Sequence, residues 1–291
     1  MQVQWIIDTL LLEKHDEGFG FPRIEEAVEK CGHKAIITKY IPFSDKPLKT
    51  PFNPYEPTIL YGSCQFVSQW ERLGLLKTVI PGAYFNKEKL KYSNYSSIFG
   101  RLMLNDDYYM LPYGEIKRRM NEDLEEGLLP PNFKNKKLFL RPDVVIKSFA
   151  GRVFEFDTME DDVNQLSQYE KISDFELCVI SSPKKIIGEY RHVVCNNEIV
   201  GQSQYQRDGK LDIQIDVEPE CQKLVKYIIN NYEQPDNVYV VDTALTEDGS
   251  RIVEFNSFSC SGLYAMDTMS IVRNVSQAAI DEYNYLKKDV I

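Results

Sequence analysis

The spacing of apolar and polar positions changes several times along this chain, and each change marks an element. Val3 to Ile7 is a short apolar run that reads as a strand. Phe21 to Val28 reads as a helix with Pro22 in its first turn, closed by Gly32. Lys34 to Tyr40 and Pro57 to Tyr61 read as further strands, and Gln65 to Leu73 as a helix ending at Gly74. This β-α-β-β-α order predicts a small α/β layer. Thr78 to Asn105 is rich in Tyr and Asn and carries no clear period. Glu115 to Glu126 reads as a charged surface helix, stopped by Gly127 and Pro130-Pro131.

The double proline predicts a boundary, with one domain over residues 1–130 and another over 131–291. Strands dominate beyond it: Leu138 to Arg141, Val144 to Ile146, Val153 to Phe156, Glu176 to Ile180, Ile186 to Val194 and Glu198 to Tyr205. A helix from about Pro219 to Tyr232 carries Leu224, Val225, Ile228, Ile229 and Tyr232 on one stripe, and a last helix runs near Ser270 to Lys287.

One hairpin carries oxygens. Val240-Val241-Asp242 and Ile252-Val253-Glu254-Phe255-Asn256 flank a turn at Glu247-Asp248-Gly249. Glu254 and Asn256 are two apart and share a strand face. Polar groups on so apolar a strand are costly unless something there needs oxygens, and a hard cation such as Mg²⁺ is the candidate. A two-residue Asp248-Gly249 loop would pair Asp242 with Phe255. A three-residue loop, Glu247-Asp248-Gly249, pairs Asp242 with Glu254 and sets all three oxygens on one face. The competing reading is an ordinary Asp-Gly hairpin with a polar outer face.

Composition narrows the function classes. The 291 residues suffice for two packed subdomains, and 43% hydrophobic with 27% charged residues is ordinary globular composition. A net charge of −10 argues against a general nucleic-acid binder. The six cysteines include no C-x-x-C pair, so zinc is not expected. The N-terminus lacks a basic region followed by an apolar one, and no apolar run reaches membrane-spanning length. A reducing, cytoplasmic location is the expectation. His15, His33 and His192 do not cluster, no P-loop or G-x-S-x-G elbow is present, and Gly18-Phe19-Gly20 is a weak G-x-G better read as a plain loop.

Three further segments carry candidate chemistry. Leu138-Phe139-Leu140-Arg141-Pro142-Asp143 leads to Lys147-Ser148-Phe149-Ala150-Gly151, a loop whose backbone N–H groups and flanking cations suit phosphates. Two solvated cations on a hairpin is the alternative. Leu177-Cys178-Val179-Ile180-Ser181-Ser182-Pro183 is an apolar strand running into a bend, suited to a purine edge or simply a buried strand end. In Gly188-Glu189-Tyr190-Arg191-His192, Glu189 and Arg191 share a face, and Arg suits bidentate capture of carboxylate or phosphate. A surface ion pair is the competing explanation there, and His192 reads as a packed or surface histidine.

Taken in order over about residues 136–270, these segments resemble the ATP-grasp superfamily, and most closely its clade named for a shared Arg and two Lys. The matching elements are F-x-R-P-D at Phe139 to Asp143, K-x-F-x-G at Lys147 to Gly151, E-x-R at Glu189 to Arg191, and D…E-x-N at Asp242, Glu254 and Asn256. The resemblance implies an α+β, ATP-grasp fold: a small subdomain over about 136–182 and a large one over about 183–291, gripping ATP, preceded by a small α/β pre-ATP-grasp domain. It implies that Val179, Ile180 and Ser181 receive adenine. Arg141, Lys147, Ser148, Gly151 and Glu189 belong to the nucleotide site, and Arg191 faces the transferring phosphoryl group or the acceptor. Asp242, Glu254 and Asn256 hold Mg²⁺. Arg141 stands where many members carry Lys, and the second family lysine is either Lys184 or Lys137. The implied activity is an ADP-forming carboxylate–amine ligase acting on small-molecule or peptide substrates through an acyl phosphate. A phosphotransferase on the same scaffold and a non-catalytic nucleotide-binding module are the alternatives.

Overall fold

Strand β1 (Gln4–Asp8) is buried along its whole length, as its continuous apolar run requires of a strand covered on both faces. In the computed structural model, which describes residues 1–9, 19–41, 51–120, 137–155, 157–170 and 172–288, it is central to a parallel sheet. Helix α1 (Ile24–Lys30) follows, then β2 (Lys34–Thr38), β3 (Thr58–Tyr61), α2 (Cys64–Arg72) and β4 (Pro81–Gly82), in the strand order β2-β1-β3-β4. Ser63 starts α2 by accepting the Phe66 N–H on its hydroxyl. Trp5 and Ile7 point to one side of the sheet, with Ala27 and Val28 of α1. Ile6, Ile36 and Leu60 point to the other, with Phe66, Val67 and Trp70 of α2.

The second sheet uses α3 (Tyr92–Phe99), β5 (Tyr109–Pro112), α4 (Tyr113–Met120), β6 (Lys137–Pro142), β7 (Arg152–Glu155), α5 (Met159–Tyr169) and β8 (Leu177–Ser181). It is antiparallel in the order β5-β8-β6-β7. Tyr113, Ile116, Met159, Val163 and Leu166 cover Leu138, Leu140, Cys178 and Ile180. The third sheet follows: β9 (Gly188–Cys195), β10 (Glu198–Arg207), β11 (Lys210–Gln214), α6 (Pro219–Asn231), β12 (Val238–Thr246), β13 (Gly249–Ser257) and α7 (Thr268–Lys288). Its order is β11-β10-β9-β12-β13. Ile271, Val272, Val275 and Ala279 of α7 form one stripe against Val193, Val238 and Val240, and Trp5 joins the same core.

Compactness divides the chain into Met1–Asn86 with Ile186–Ile291 as one unit, and Lys87–Lys185 as the other. The sequence reading placed residues 87–120 before the boundary. They belong instead to the second unit, because β5 pairs with β8 and α4 shares the core of β6 and β8. The expected boundary at Pro130-Pro131, the end of the charged helix, His15, Gly18 and Phe156 lie outside the described residues. Val144 to Ile146 is not a strand: β6 ends at Pro142, and Asp143 is tied back to α3 by its carboxylate. Helices α3 and α5 and strands β4, β5 and β11 were not foreseen. No described helix is long and apolar enough to cross a membrane.

Candidate active site

Asp242 pairs with Glu254 across the β12–β13 hairpin, as the oxygen pattern required. The turn differs from the expected one. Thr246 pairs with Gly249, so Glu247-Asp248 is a two-residue loop, and Gly249 takes the positive φ of +96°. Continued unbroken, that register would set Asp242 against Val253. Between Thr243–Ile252 and Asp242–Glu254 the register shifts by one, and Val253 is the extra residue of a bulge. The bulge, a common device beside functional sites, restores the alignment that the tip would have lost. Asp242 and Glu254 are 1% and 8% exposed. The Asn256 amide donates to both, at 3.1 Å to Asp242 Oδ2 and 2.9 Å to Glu254 Oε1.

Arg191 enters this cluster from β9, directly opposite Asp242. Its Nε and Nη2 meet the two Asp242 oxygens at 2.8 and 2.7 Å, a bidentate pair, and Nη1 donates to the Gly262 carbonyl at 3.1 Å. Burial alone would lower the Arg191 pKa; the Asp242 carboxylate reverses this, and the net shift is upward. Glu189, two residues earlier on the same face, accepts the Tyr205 hydroxyl at 2.6 Å. Burial raises the Glu189 pKa, and the nearby Asp242 and Glu254 carboxylates add to that. Tyr205 and Tyr264 stack at 5.2 Å, and their ring centres lie 5.5 and 5.1 Å from the guanidinium carbon of Arg191. Sequence reasoning missed both tyrosines, because no spacing ties them to Arg191. His192 faces away: it is fully buried, its Nε2 lies 3.1 Å from Thr243 Oγ1, and burial depresses its pKa to about 4.

The other candidates lie in the second unit. Arg141 on β6 is 5% exposed, donates from Nε to the Pro142 carbonyl at 3.3 Å and sits 5.3 Å from the Tyr92 ring centre. Asp143 of the same motif is structural: its oxygens accept the Ser93 N–H at 2.7 Å and the Ser93 hydroxyl at 3.0 Å in the first turn of α3. Lys147 is exposed on the loop joining β6 to β7, and the Ser148 hydroxyl is committed to Glu176. Gly151 admits the close passage of that loop: a Cβ there would stand 2.8 Å from Phe139 Cζ and 3.2 Å from Arg141 Cβ.

Val179 and Ile180 pair with β5 on one side and β6 on the other, so their backbone edges are covered. An open strand edge starts later than expected: Ser181 pairs with Phe139 of β6 on one side and has no β5 partner on the other. Ser181 Oγ is buried without a hydrogen-bond partner, the kind of orphaned group that a ligand satisfies. Next to it, Asp107 accepts the Ser182 N–H at 3.3 Å and pairs with Lys184 at 2.7 Å. Lys137, the other candidate lysine, pairs with Glu155 on the exposed start of β6.

Residues 119–274, more than half of the chain, match the model of an ATP-grasp domain family, the second family of the clade named for its Arg and two Lys. The chain belongs to that family. No curated protein matches it by sequence. Among solved structures, the ATP-grasp chain is similar to D-cycloserine synthetase DcsG, at 9% identity and TM-score 0.57, over 96% of this chain and 100% of that one. The ATP-grasp ligase PsnB, in complex with a phosphomimetic variant of its minimal precursor, Mg and ADP, matches at 10% identity and TM-score 0.53, over 97% and 99% of the two chains. D-alanine–D-alanine ligase from Bacillus anthracis matches at 10% identity and TM-score 0.53, over 100% of both. At such identities the likeness carries the fold: this chain has the α+β, ATP-grasp fold.

The ATP-grasp chain's oxygens fit a hard cation. Asp242, Glu254 and Asn256 offer two carboxylates and a carboxamide, a donor set suited to Mg²⁺. Among the described residues no group of three His, Cys, Asp or Glu side chains is arranged to hold a metal, so the carboxamide is needed to complete this set. Both carboxylates now receive N–H donors from Asn256 or Arg191. A half-turn of the Asn256 amide, whose orientation is assigned from its hydrogen bonds, presents its oxygen instead. A separate cleft of about 620 Å³, lined by Gln202, Gln222, Lys226 and Asp267 among others, contains none of the residues expected from sequence.

Proposed function

We propose that this ATP-grasp protein is an ATP- and Mg²⁺-dependent carboxylate–amine ligase that forms an amide through an acyl phosphate and releases ADP and phosphate. One observation carries the reading: Asp242, Glu254, Asn256 and Arg191 converge on one sheet face, with Arg191 2.7–2.8 Å from Asp242. Carboxylate oxygens for a cation beside a guanidinium suit the attack of one anion on another, where charge must be neutralised. No covalent enzyme nucleophile is needed.

In this reading Asp242, Glu254 and the Asn256 oxygen hold Mg²⁺, which supplies positive charge to the phosphates. Arg191 leaves Asp242 for the γ-phosphoryl group or the acceptor carboxylate as they arrive. Arg141, Lys147 and the backbone from Ser148 to Gly151 take phosphate oxygens, and Ser181-Ser182 takes the adenine edge. Lys184 is the second family lysine in this reading, since its partner Asp107 also binds the Ser182 N–H beside the adenine edge, whereas Lys137 pairs with Glu155 at the exposed start of β6. The loop from Ser257 to Gly262, directly after Asn256, borders the acceptor, and water exclusion there protects the acyl phosphate. The amine then displaces phosphate, and the amide forms.

The test is incubation with ATP, Mg²⁺, ¹⁸O-labelled carboxylates and amines, small-molecule and peptide alike. Amide product with ¹⁸O in free phosphate supports the ligase. A stable phosphorylated product would make the protein a phosphotransferase, and nucleotide binding without turnover across the panel would make it a binding module.

A further inference from the structure

We infer that Tyr264, stacked on Tyr205, is a positioning residue that fixes the Arg191 guanidinium for phosphoryl transfer; this rests on the ligase reading of the same site. Two backbone irregularities converge on this one guanidinium. The first is in β10, where Gln204 pairs with Tyr190 and Gln206 with Glu189, leaving Tyr205 as the extra residue of a bulge. A bulge bends its strand and re-aims the side chain it carries. Here the Tyr205 ring lies 5.5 Å from the guanidinium carbon, and its hydroxyl donates to Glu189 at 2.6 Å.

The second is Tyr264 itself, at φ +48°. A bulky side chain rarely occupies that left-handed region, and such strain gathers at functional sites. Glycine takes this backbone without penalty. An aromatic residue held there has to be accounted for by its ring, which lies 5.1 Å from the guanidinium carbon and stacks on Tyr205 with 12° between planes.

The remaining contacts complete the restraint. Asp242 and the Gly262 carbonyl hold all three guanidinium nitrogens, while the tyrosines hold its π-system. When phosphate draws Arg191 away from Asp242, the rings still limit where it can go. A purely structural Tyr264 would support the fold and leave nucleotide discrimination alone. A positioning Tyr264 sets how strongly Arg191 answers a γ-phosphoryl group.

The experiment compares AMPPNP with ADP, each with Mg²⁺, by calorimetric titration of wild type, Tyr264→Phe, Tyr264→Leu and Tyr264→Gly. Wild type and Tyr264→Phe are expected to prefer AMPPNP. Tyr264→Leu loses about tenfold in AMPPNP affinity while ADP affinity stays within about twofold, the span of a desolvated cation–π contact. Tyr264→Gly removes the ring and relieves the backbone, so it carries the test if the Leu variant fails to fold. A full AMPPNP preference in a folded Leu or Gly variant overturns the positioning role alone. A wild type that binds neither nucleotide overturns the ligase reading and this inference with it.

Discussion

Replacing Arg191 by Gln removes two charge-assisted bonds to Asp242, at 2.8 and 2.7 Å, and strands a carboxylate that is 1% exposed. Breaking a buried pair from one side costs about 3–5 kcal/mol, because the surviving charge is left without its counter-ion. The Arg191 side chain keeps 12% exposure, which places the expected loss near the lower end, about 3 kcal/mol. Asp242→Asn leaves the guanidinium uncompensated and should cost a similar amount. The double variant Arg191→Gln/Asp242→Asn buries no charge at this position. Its loss should fall short of the sum of the two single losses by about 2 kcal/mol. Urea denaturation at pH 7.5 reads all three, with unchanged m-values showing that the same surface unfolds. Additive losses, or a single Arg191→Gln loss below about 1 kcal/mol, would refute the claim that this pair organises the site.

Other outcomes follow from the same geometry. Burial holds folded His192 neutral down to about pH 4, whereas the unfolded side chain titrates near 6.5, so the unfolded state binds more protons in between and stability rises with pH across that window. Between pH 7.5 and 5, wild type should lose about 2 kcal/mol more than His192→Gln in urea titrations; parallel curves would contradict this. Gly151→Ala pushes a methyl to 2.8 Å from Phe139 Cζ, and overpacking of this kind should cost about 1–2 kcal/mol in the same assay, with no loss if the ring simply turns aside. Lys184→Met should weaken AMPPNP binding about tenfold and Lys137→Met should not, a contrast that calorimetric titration reads directly; the reverse order would return Lys137 to the site.

Much of the fold was legible because period and punctuation agreed. The apolar run of β1, the stripe of α6 and the Ser63-led helix α2 each carry a local signal. Helix α5 carries one too, with three acidic residues in its first turn and Met159, Val163 and Leu166 at helical spacing. Strand β5 is different: four residues gain strand form by pairing with β8, far along the chain, so no local pattern announces it. In the site, the pairing of Asp242 with Glu254 was readable from the oxygen pattern, but its cause was not. The turn was expected to hold the extra residue, whereas it is Val253, a bulge within the paired strands that no local sequence pattern marks. Tyr205 and Tyr264 were invisible for the same reason, since a bulge and a left-handed tyrosine bring them to Arg191 across long separations. Chemistry carried by residue type and spacing can be read along the chain; chemistry carried by backbone irregularity cannot.

The central claim is that Asp242, Glu254 and Asn256 hold the metal of a metal–nucleotide complex. Mn²⁺ in place of Mg²⁺ tests it through the relaxation of water protons, with AMPPNP present and no acceptor needed. Wild type should form a ternary complex, and Glu254→Gln should weaken it by about tenfold or more while unfolding at nearly the wild-type temperature. Equal enhancement in wild type and a folded Glu254→Gln variant would contradict the account, because the metal would then lie elsewhere.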